Sequence, residues 1–363
     1  MSTSTAEAKA APNRPGWGLH MLVNLIERGA VPLGLLILVI IFSVNPSTGP
    51  VFRSAANIQN IIGNQSVVGM VALAMVIPMA SGYFDLSTAA VAAASNVVCA
   101  EFFALLHAPI PVAIIAGVVI GALCGVANGL LVAGLGLNPF ITTLGSYILI
   151  TGLLQWQTGG QLYGTGIPNS FVQWGNGKFL GLANPFWILI VIAAICWYVM
   201  TQVPYGRRLA AIGSNESAGR LAGIRVNRII LEAFVISGAI AGAAGVMLTM
   251  RAGNGAAATA PTYLFPALAA VFLGQTSIRP GFFNVWGTIF AVFLIAVATT
   301  GFTLMGASLW IANVFDGAVL IVAIFISTMM ARVRDRRARA VQLSRLEASD
   351  AASSAVGDSV PAA

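Results

Sequence analysis

Between Ala30 and Ala331 the chain repeats, about ten times, an uncharged apolar run close to the roughly 20 residues one helix needs to cross a bilayer. Short stretches of Gly, Pro, Asn or Arg separate the runs. Backbone polar groups in hydrocarbon must find partners within the chain, so only helices or closed barrels span it. A barrel would alternate polar and apolar residues over segments of about ten. "GLLILVIIF" and "AVFLIAVA" do not alternate. The expected fold class is all-α, a polytopic α-helical membrane protein with about ten transmembrane helices. Composition points the same way: 58% of the 363 residues are hydrophobic and 8% charged, too few polar groups to solvate a globule of this size.

The runs are placed at Ala30 to Val44, Ile58 to Ala80, Leu86 to Leu106, Val112 to Ala133, Phe140 to Trp156, Pro185 to Val203, Ile229 to Met250, Leu264 to Gln275, Phe283 to Thr303 and Leu309 to Ala331. An even number of crossings puts the N- and C-termini on one side, and the excess of Lys and Arg identifies that side as cytoplasmic. Arg14, Arg28, Arg207, Arg208, Arg220, Arg225, Arg228, Arg279 and the run "ARVRDRRARA" all fall there, whereas Arg53, Lys178 and Arg251 fall outside. Three units follow. Residues 1–29 form a polar cytoplasmic tail with no cleavage pattern of a signal peptide. Residues 30–331 form the transmembrane domain, with a cytoplasmic segment at 204–228. Residues 332–363, rich in Ala, Ser and Arg, read as a disordered cytoplasmic tail.

Several functions are unsupported. The net charge of +7 comes from Arg beside membrane spans, with no basic and aromatic module for nucleic acid. Cys99, Cys124 and Cys196 lie in apolar runs without paired spacing. Neither G-x-x-x-x-G-K-[ST] nor H-E-x-x-H occurs, so no ATP-binding loop or metalloenzyme site is read. A proton-driven carrier keeps ionisable relays near the bilayer midplane. Here Asp85 sits at a break between spans, Glu101 and Asp316 lie in or near spans, Glu232 is barely inside, and His20 and His107 are outside.

Gly117, Gly121, Gly125 and Gly129 recur at every fourth residue, and Gly238, Gly242 and Gly245 form a second stripe. Both read as surfaces for close helix packing. Asn64, Gln65, Asn96, Asn128, Thr142, Thr143, Ser146 and Gln155 are polar residues within spans, each suited to a helix-to-helix bond or, taken together, to an uncharged polar path for a neutral hydroxylated solute. The outside connection Gln157 to Asn184 reads as a flexible link with an interfacial aromatic belt, or as a docking surface.

The stretch "PYGRRLAAIGSNESAGRLAGIRVNRII" gathers five arginines around what reads as one short helix. Ser214 or Asn215 can cap it, Glu216 suits its positive end and Gly223 can end it in a left-handed turn. Ala218, Leu221 and Ala222 share one face. Such a helix can enter a groove on a partner, or the stretch is a solvated positive loop.

At this point a resemblance appears. "GSNESAGRLAGIRVNRIILEAFVISGAIAGAAGVM" resembles the cytoplasmic coupling segment of permease subunits of ABC importers for monosaccharides, of the ribose, xylose and galactose type. "NPFITTLGSYILITGL" is similar to that family's Pro-Phe-Ile-x-Thr-Leu-Gly motif, and "SGYFDLS" to its Gly-Gly-Ile-Asp-Leu-Ser turn, with Ser81 and Phe84 in place of Gly and Ile. The resemblance implies a non-enzymatic transport subunit of the bacterial cytoplasmic (inner) membrane, embedded in membrane lipid and working as a permease homodimer. It implies a cytoplasmic ABC ATPase subunit that holds ATP and Mg, and an extracytoplasmic solute-binding protein; no cofactor is expected on this chain. It implies that Gly213, Asn215, Glu216, Ala218, Arg220, Leu221, Gly223 and Ile224 carry the ATPase contact. Asn64, Asp85, Ser87, Asn138, Phe140 and Thr143 are expected along the translocation path. Rival readings are an ABC permease for a nucleoside or branched-chain amino acid, and a secondary transporter driven by an ion gradient.

Overall fold

The computed structural model describes residues 17–308, 310–329 and 332. The first sixteen residues of the expected N-terminal tail, and the tail after Arg332, lie outside the described residues. The chain is a polytopic all-α membrane protein. Its helices are α1 Trp17–Val44, α2 Gly49–Phe52, α3 Ala55–Ala80, α4 Thr88–Ala104, α5 Ile110–Gly129, α6 Pro139–Thr158, α7 Asn169–Asn176, α8 Asn184–Thr201, α9 Pro204–Ser214, α10 Glu216–Leu221, α11 Val226–Ala252, α12 Ala260–Gly274, α13 Val285–Leu304 and α14 Trp310–Met329. Each of the apolar runs read from sequence falls on a helix over most of its described residues. Seven helices among the described residues are long and apolar enough to cross a membrane, and Arg28–Val44 and Thr88–Ala104 are shorter apolar stretches.

Three boundaries differ from the sequence reading. The first helix begins at Trp17, well before Ala30, because His20, Asn24, Glu27 and Arg28 interrupt its apolar residues and hydropathy alone does not mark such a start. The Gln157 to Asn184 connection contains α7 and a small antiparallel hairpin, Lys178–Phe179 with Leu182–Ala183. The single helix expected in the arginine-rich stretch is two, α9 and α10, hinged at Asn215. Pro32 within α1 has no N–H to offer the Arg28 carbonyl. That oxygen instead accepts from Ile278 N (2.9 Å) and Ser277 Oγ (2.7 Å), fixing α1 to the loop before α13.

The core centres on α3, α4, α5 and α11, where α3 is buried along most of its length. Water is absent from the bilayer interior, so helix association there depends on close packing and interhelical hydrogen bonds. The two glycine stripes supply the packing, face to face. A Cβ on Gly121 would strike the Gly238 carbonyl oxygen, one on Gly238 the Gly121 carbonyl, and one on Gly125 the Phe234 carbonyl. Polar ties join α4 to α11 and the segment after it: Ser95 Oγ donates to Gly242 O (2.6 Å), and Asn96 Nδ2 donates to Thr249 Oγ1 (2.9 Å) while its Oδ1 accepts from Ala256 N (2.9 Å).

Replacing Gly121 by Leu is expected to cost at least the ~1–3 kcal/mol of core overpacking. Gly152 on α6 has nothing within 4 Å of an added Cβ, so Gly152→Ala should leave the isolated chain as stable as before. Thermal unfolding of both variants in detergent measures the difference; equal midpoints would remove the seam from the account.

Candidate coupling site

Helices α9 and α10 lie at the end of the bundle where α3 finishes. α9 starts at Pro204, where proline's fixed φ and missing N–H suit the first turn. It buries Gly206, Leu209 and Ile212 and leaves Arg207 and Arg208 exposed. Near its end, a Cβ on Gly213 would strike the Ala80 carbonyl at the end of α3, so the backbones meet directly there.

Asn215 breaks the α9 helix with an extended backbone (φ −160°, ψ 104°) and caps α10, its Oδ1 accepting from Ala218 N at 3.0 Å. Glu216 occupies the first turn and Arg220 the last, each favourable to the helix dipole. At the far end Gly223 N donates to Arg220 O and Ile224 N to Gly219 O, both at 3.0 Å, with Gly223 at φ +79°. This is the Schellman pattern, and the left-handed position it needs favours glycine. Both caps expected from sequence are present, with Asn215 rather than Ser214 at the start.

The two faces of α10 differ. Gly219 is buried near Ile212 and Ile224, whereas Ala218, Leu221 and Ala222 are exposed, Leu221 at 91%. An apolar face kept bare on a doubly capped helix outside the apolar bundle is suited to a groove on another protein. Arg220 is held rather than free: its Nη2 donates to Glu216 Oε1 (2.8 Å) and Asn227 Oδ1 (2.9 Å).

A link from this helix into the membrane domain was not visible in the sequence. Tyr83, in the turn between α3 and α4, donates its hydroxyl to Glu216 Oε2 at 2.8 Å. Burial, and then the bond to Glu216, push the Tyr83 phenol up to about 12. Hydrogen bonds from Arg220 and Tyr83 hold the Glu216 carboxyl below its usual range.

Two residues beyond Tyr83, buried Asp85 accepts from Ser87 Oγ (2.6 Å) and Ser87 N (3.1 Å) on one oxygen and from Ser237 Oγ of α11 (2.9 Å) on the other. Asn128 Nδ2 donates to Ser87 Oγ (2.8 Å), and Ser146 Oγ of α6 donates to Asn128 Oδ1 (2.5 Å). Thr143 Oγ1 accepts from Leu86 N (3.1 Å). The turn is therefore a hub that ties α4, α5, α6 and α11 together. Directly after Asn128 and Gly129, α5 ends in one π-helical turn, Leu130–Gly134, a local irregularity frequent at functional positions.

Of the path residues read from sequence, Asp85, Ser87 and Thr143 meet in this hub. Asn138 caps α6 by accepting from Ile141 N (3.2 Å), and Phe140 is half exposed on the first turn of that helix. Asn64 lies at the opposite end of the bundle, accepting from Arg251 Nη2 at 2.7 Å. Ser237 and Tyr83 were missed; a serine in a glycine-rich helix and a tyrosine in a turn carry no pattern that marks their partners.

Residues 57–324 match the family model described as "branched-chain amino acid transport system / permease component". The ribose import permease of Bacillus subtilis is 34% identical over 296 residues, covering 81% of this chain and 90% of that protein. The L-arabinose ABC transporter permease of Azospirillum brasilense is 28% identical, covering 89% and 93%. An autoinducer 2 import permease of Salmonella paratyphi B is 29% identical, covering 71% and 79%. No solved structure matches.

A carboxyl with a depressed folded pKa stabilises above its unfolded value, about 4.3 for Glu, and loses that contribution as pH falls through the folded value. Docking of α10 on the Tyr83 turn should therefore hold at neutral pH and loosen as pH falls below the ordinary range of a Glu carboxyl. Tyr83→Phe should loosen it at every pH. Hydrogen exchange at the amides of residues 218–224 measures both, and unchanged protection in Tyr83→Phe would show that the bond does not hold the helix.

Proposed function

The chain belongs to the branched-chain amino acid transport system / permease component family, and from that premise we propose that it is the membrane-spanning subunit of an ATP-driven, binding-protein-dependent importer of a small sugar. It is a transport subunit and a multi-pass protein of the inner membrane. The sugar is inferred from relatives named for ribose and L-arabinose import over most of their length. The observation that carries the mechanism is α10, capped at both ends, tied by Tyr83 to the membrane domain and bare on its Ala218, Leu221 and Ala222 face.

In this reading α10 enters a groove on a cytoplasmic ABC ATPase, which holds ATP and Mg. The chain has no phosphate-binding loop of its own. Gly213, Asn215, Glu216, Gly223 and Ile224 shape the helix, while Ala218 and Leu221 meet the partner and Arg220 borders the contact. N- and C-termini are cytoplasmic, on the side of α10. An extracytoplasmic solute-binding protein delivers sugar at the opposite end. Two copies of the chain line the pathway. The face of α6 supports the pairing: Ile141, Ile148, Leu149 and Trp156 are exposed, and Gly145 and Gly152 between them have nothing near an added Cβ, a surface that lets helix backbones approach. Phe140 and Asn138 begin that helix, and Asp85, Ser87 and Thr143 set its position from behind.

A second reading, an ABC permease for another small solute such as a nucleoside or a branched-chain amino acid, takes support from the family description and from the autoinducer 2 relative. Competition of labelled ribose uptake by unlabelled pentoses, nucleosides and branched-chain amino acids separates the two.

Leu221→Asp places a charge in the middle of the proposed contact, where truncating a hot spot alone costs about 2 kcal/mol or more. The variant should insert into the membrane at normal level and lose uptake. Immunoblots of membrane fractions and radiolabelled sugar uptake check this; normal uptake would remove α10 as the coupling element.

A further inference from the structure

At the end of the bundle away from α10, two adjoining hollows share Trp174. The first, about 430 Å³, lies between α5, α8 and α11 under α7, and Ile114, Val118, Phe171, Ile188, Val246 and Met247 are among the residues that line it. Its volume falls within the range of roughly 300–1,000 Å³ of small-molecule sites. Its walls are nearly all hydrocarbon, so a sugar would find almost no hydrogen bonds there. The hollow is flanked by lipid-facing surface: Ile115, Val119 and Leu123 of α5 and Val191 and Ile195 of α8 are exposed.

The second hollow is formed by Trp174, Lys178, Phe179, Asn184 and Trp187. It is braced rather than loose. Trp187 Nε1 donates to Phe179 O (2.9 Å), Asn184 Nδ2 donates to Trp174 O (2.7 Å), and the rings of Phe179 and Trp187 meet edge to face at 6.1 Å. Lys178 is exposed and has no ion pair among the described residues. Tryptophan beside lysine is the composition of a membrane interface.

We propose that the paired hollows form a binding site for one anionic phospholipid, with its phosphate against Lys178 and one acyl chain in the cavity between α5, α8 and α11. The order of the parts matches a lipid in its leaflet. The cationic, tryptophan-lined hollow sits at the helix ends, where headgroups lie, and the apolar hollow extends inward beside α11. A chain there would fill the gap next to the outer half of the α5–α11 seam. Trp174 separates phosphate from hydrocarbon, its indole suited to both.

The test uses the purified full-length chain in detergent, titrated with phosphatidylglycerol or phosphatidylcholine carrying brominated acyl chains, which quench tryptophan on contact. Phosphatidylglycerol should quench saturably and Trp174→Phe should remove most of that response. Lys178→Gln should weaken phosphatidylglycerol by about fivefold, the factor for one lysine near an anionic surface, and phosphatidylcholine less, because its choline ammonium already offsets the phosphate. Val118→Phe, which fills the cavity, should abolish saturable quenching. Should Val118→Phe fail to fold, Lys178→Gln on the exposed hairpin decides alone. Equal quenching by the two lipids, unchanged in Lys178→Gln, would mean bulk lipid contact and overturn the site.

Discussion

The glycine contact between α5 and α11 is the constraint on which the remaining structure depends. In hydrocarbon no hydrophobic force drives helices together, so their association relies on how closely the backbones can approach. Gly121, Gly125, Gly238 and Gly242 bring carbonyl oxygens of one helix to positions a Cβ would occupy on the other. The seam therefore leaves no room for a side chain at these positions. α11 follows α10 after only four residues, so α10 is joined directly to one helix of this seam.

That arrangement gives α10 two routes into the membrane domain. One is covalent, through Arg225 into α11. The other is the Tyr83 hydroxyl on Glu216, which joins α10 to the turn that carries Asp85. Both arrive at the same place, because Asp85 is bonded to Ser237 of α11 and, through Ser87 and Asn128, to Ser146 of α6. A buried carboxyl is costly unless its polar atoms find partners, and three donors reach this one. The bonds to the hub thus specify one arrangement of four helices. Hydrogen-bonded groups thus run from α10 through the Tyr83 turn to Ser146 of α6.

Much of this was legible along the chain because it depends on local periodicity. The apolar runs, the two glycine stripes, and the Asn215 and Gly223 caps are patterns of neighbouring residues, and each recurs in the structure. What could not be read depends on contacts between distant residues. Glu216 and Tyr83 are 133 positions apart, and neither residue carries a sign of the other. Asn64 and Asp85 looked alike as polar residues in or beside spans, yet one binds Arg251 at one end and the other organises the hub near α10. The split into α9 and α10 was hidden because Asn215 is both a helix end and a helix start, and α7 was hidden by the polar composition of its loop.

On the proposed function, this chain does not transport alone but is driven through α10. The most direct measurement is to isolate the tagged chain gently from its native membrane, identify proteins present in equal amount, and follow sugar uptake after reconstitution with and without ATP. An ATP-hydrolysing subunit bound on the α10 side, with uptake that requires ATP, is the expected result. A chain that purifies alone and accumulates sugar on an ion gradient without ATP would contradict it.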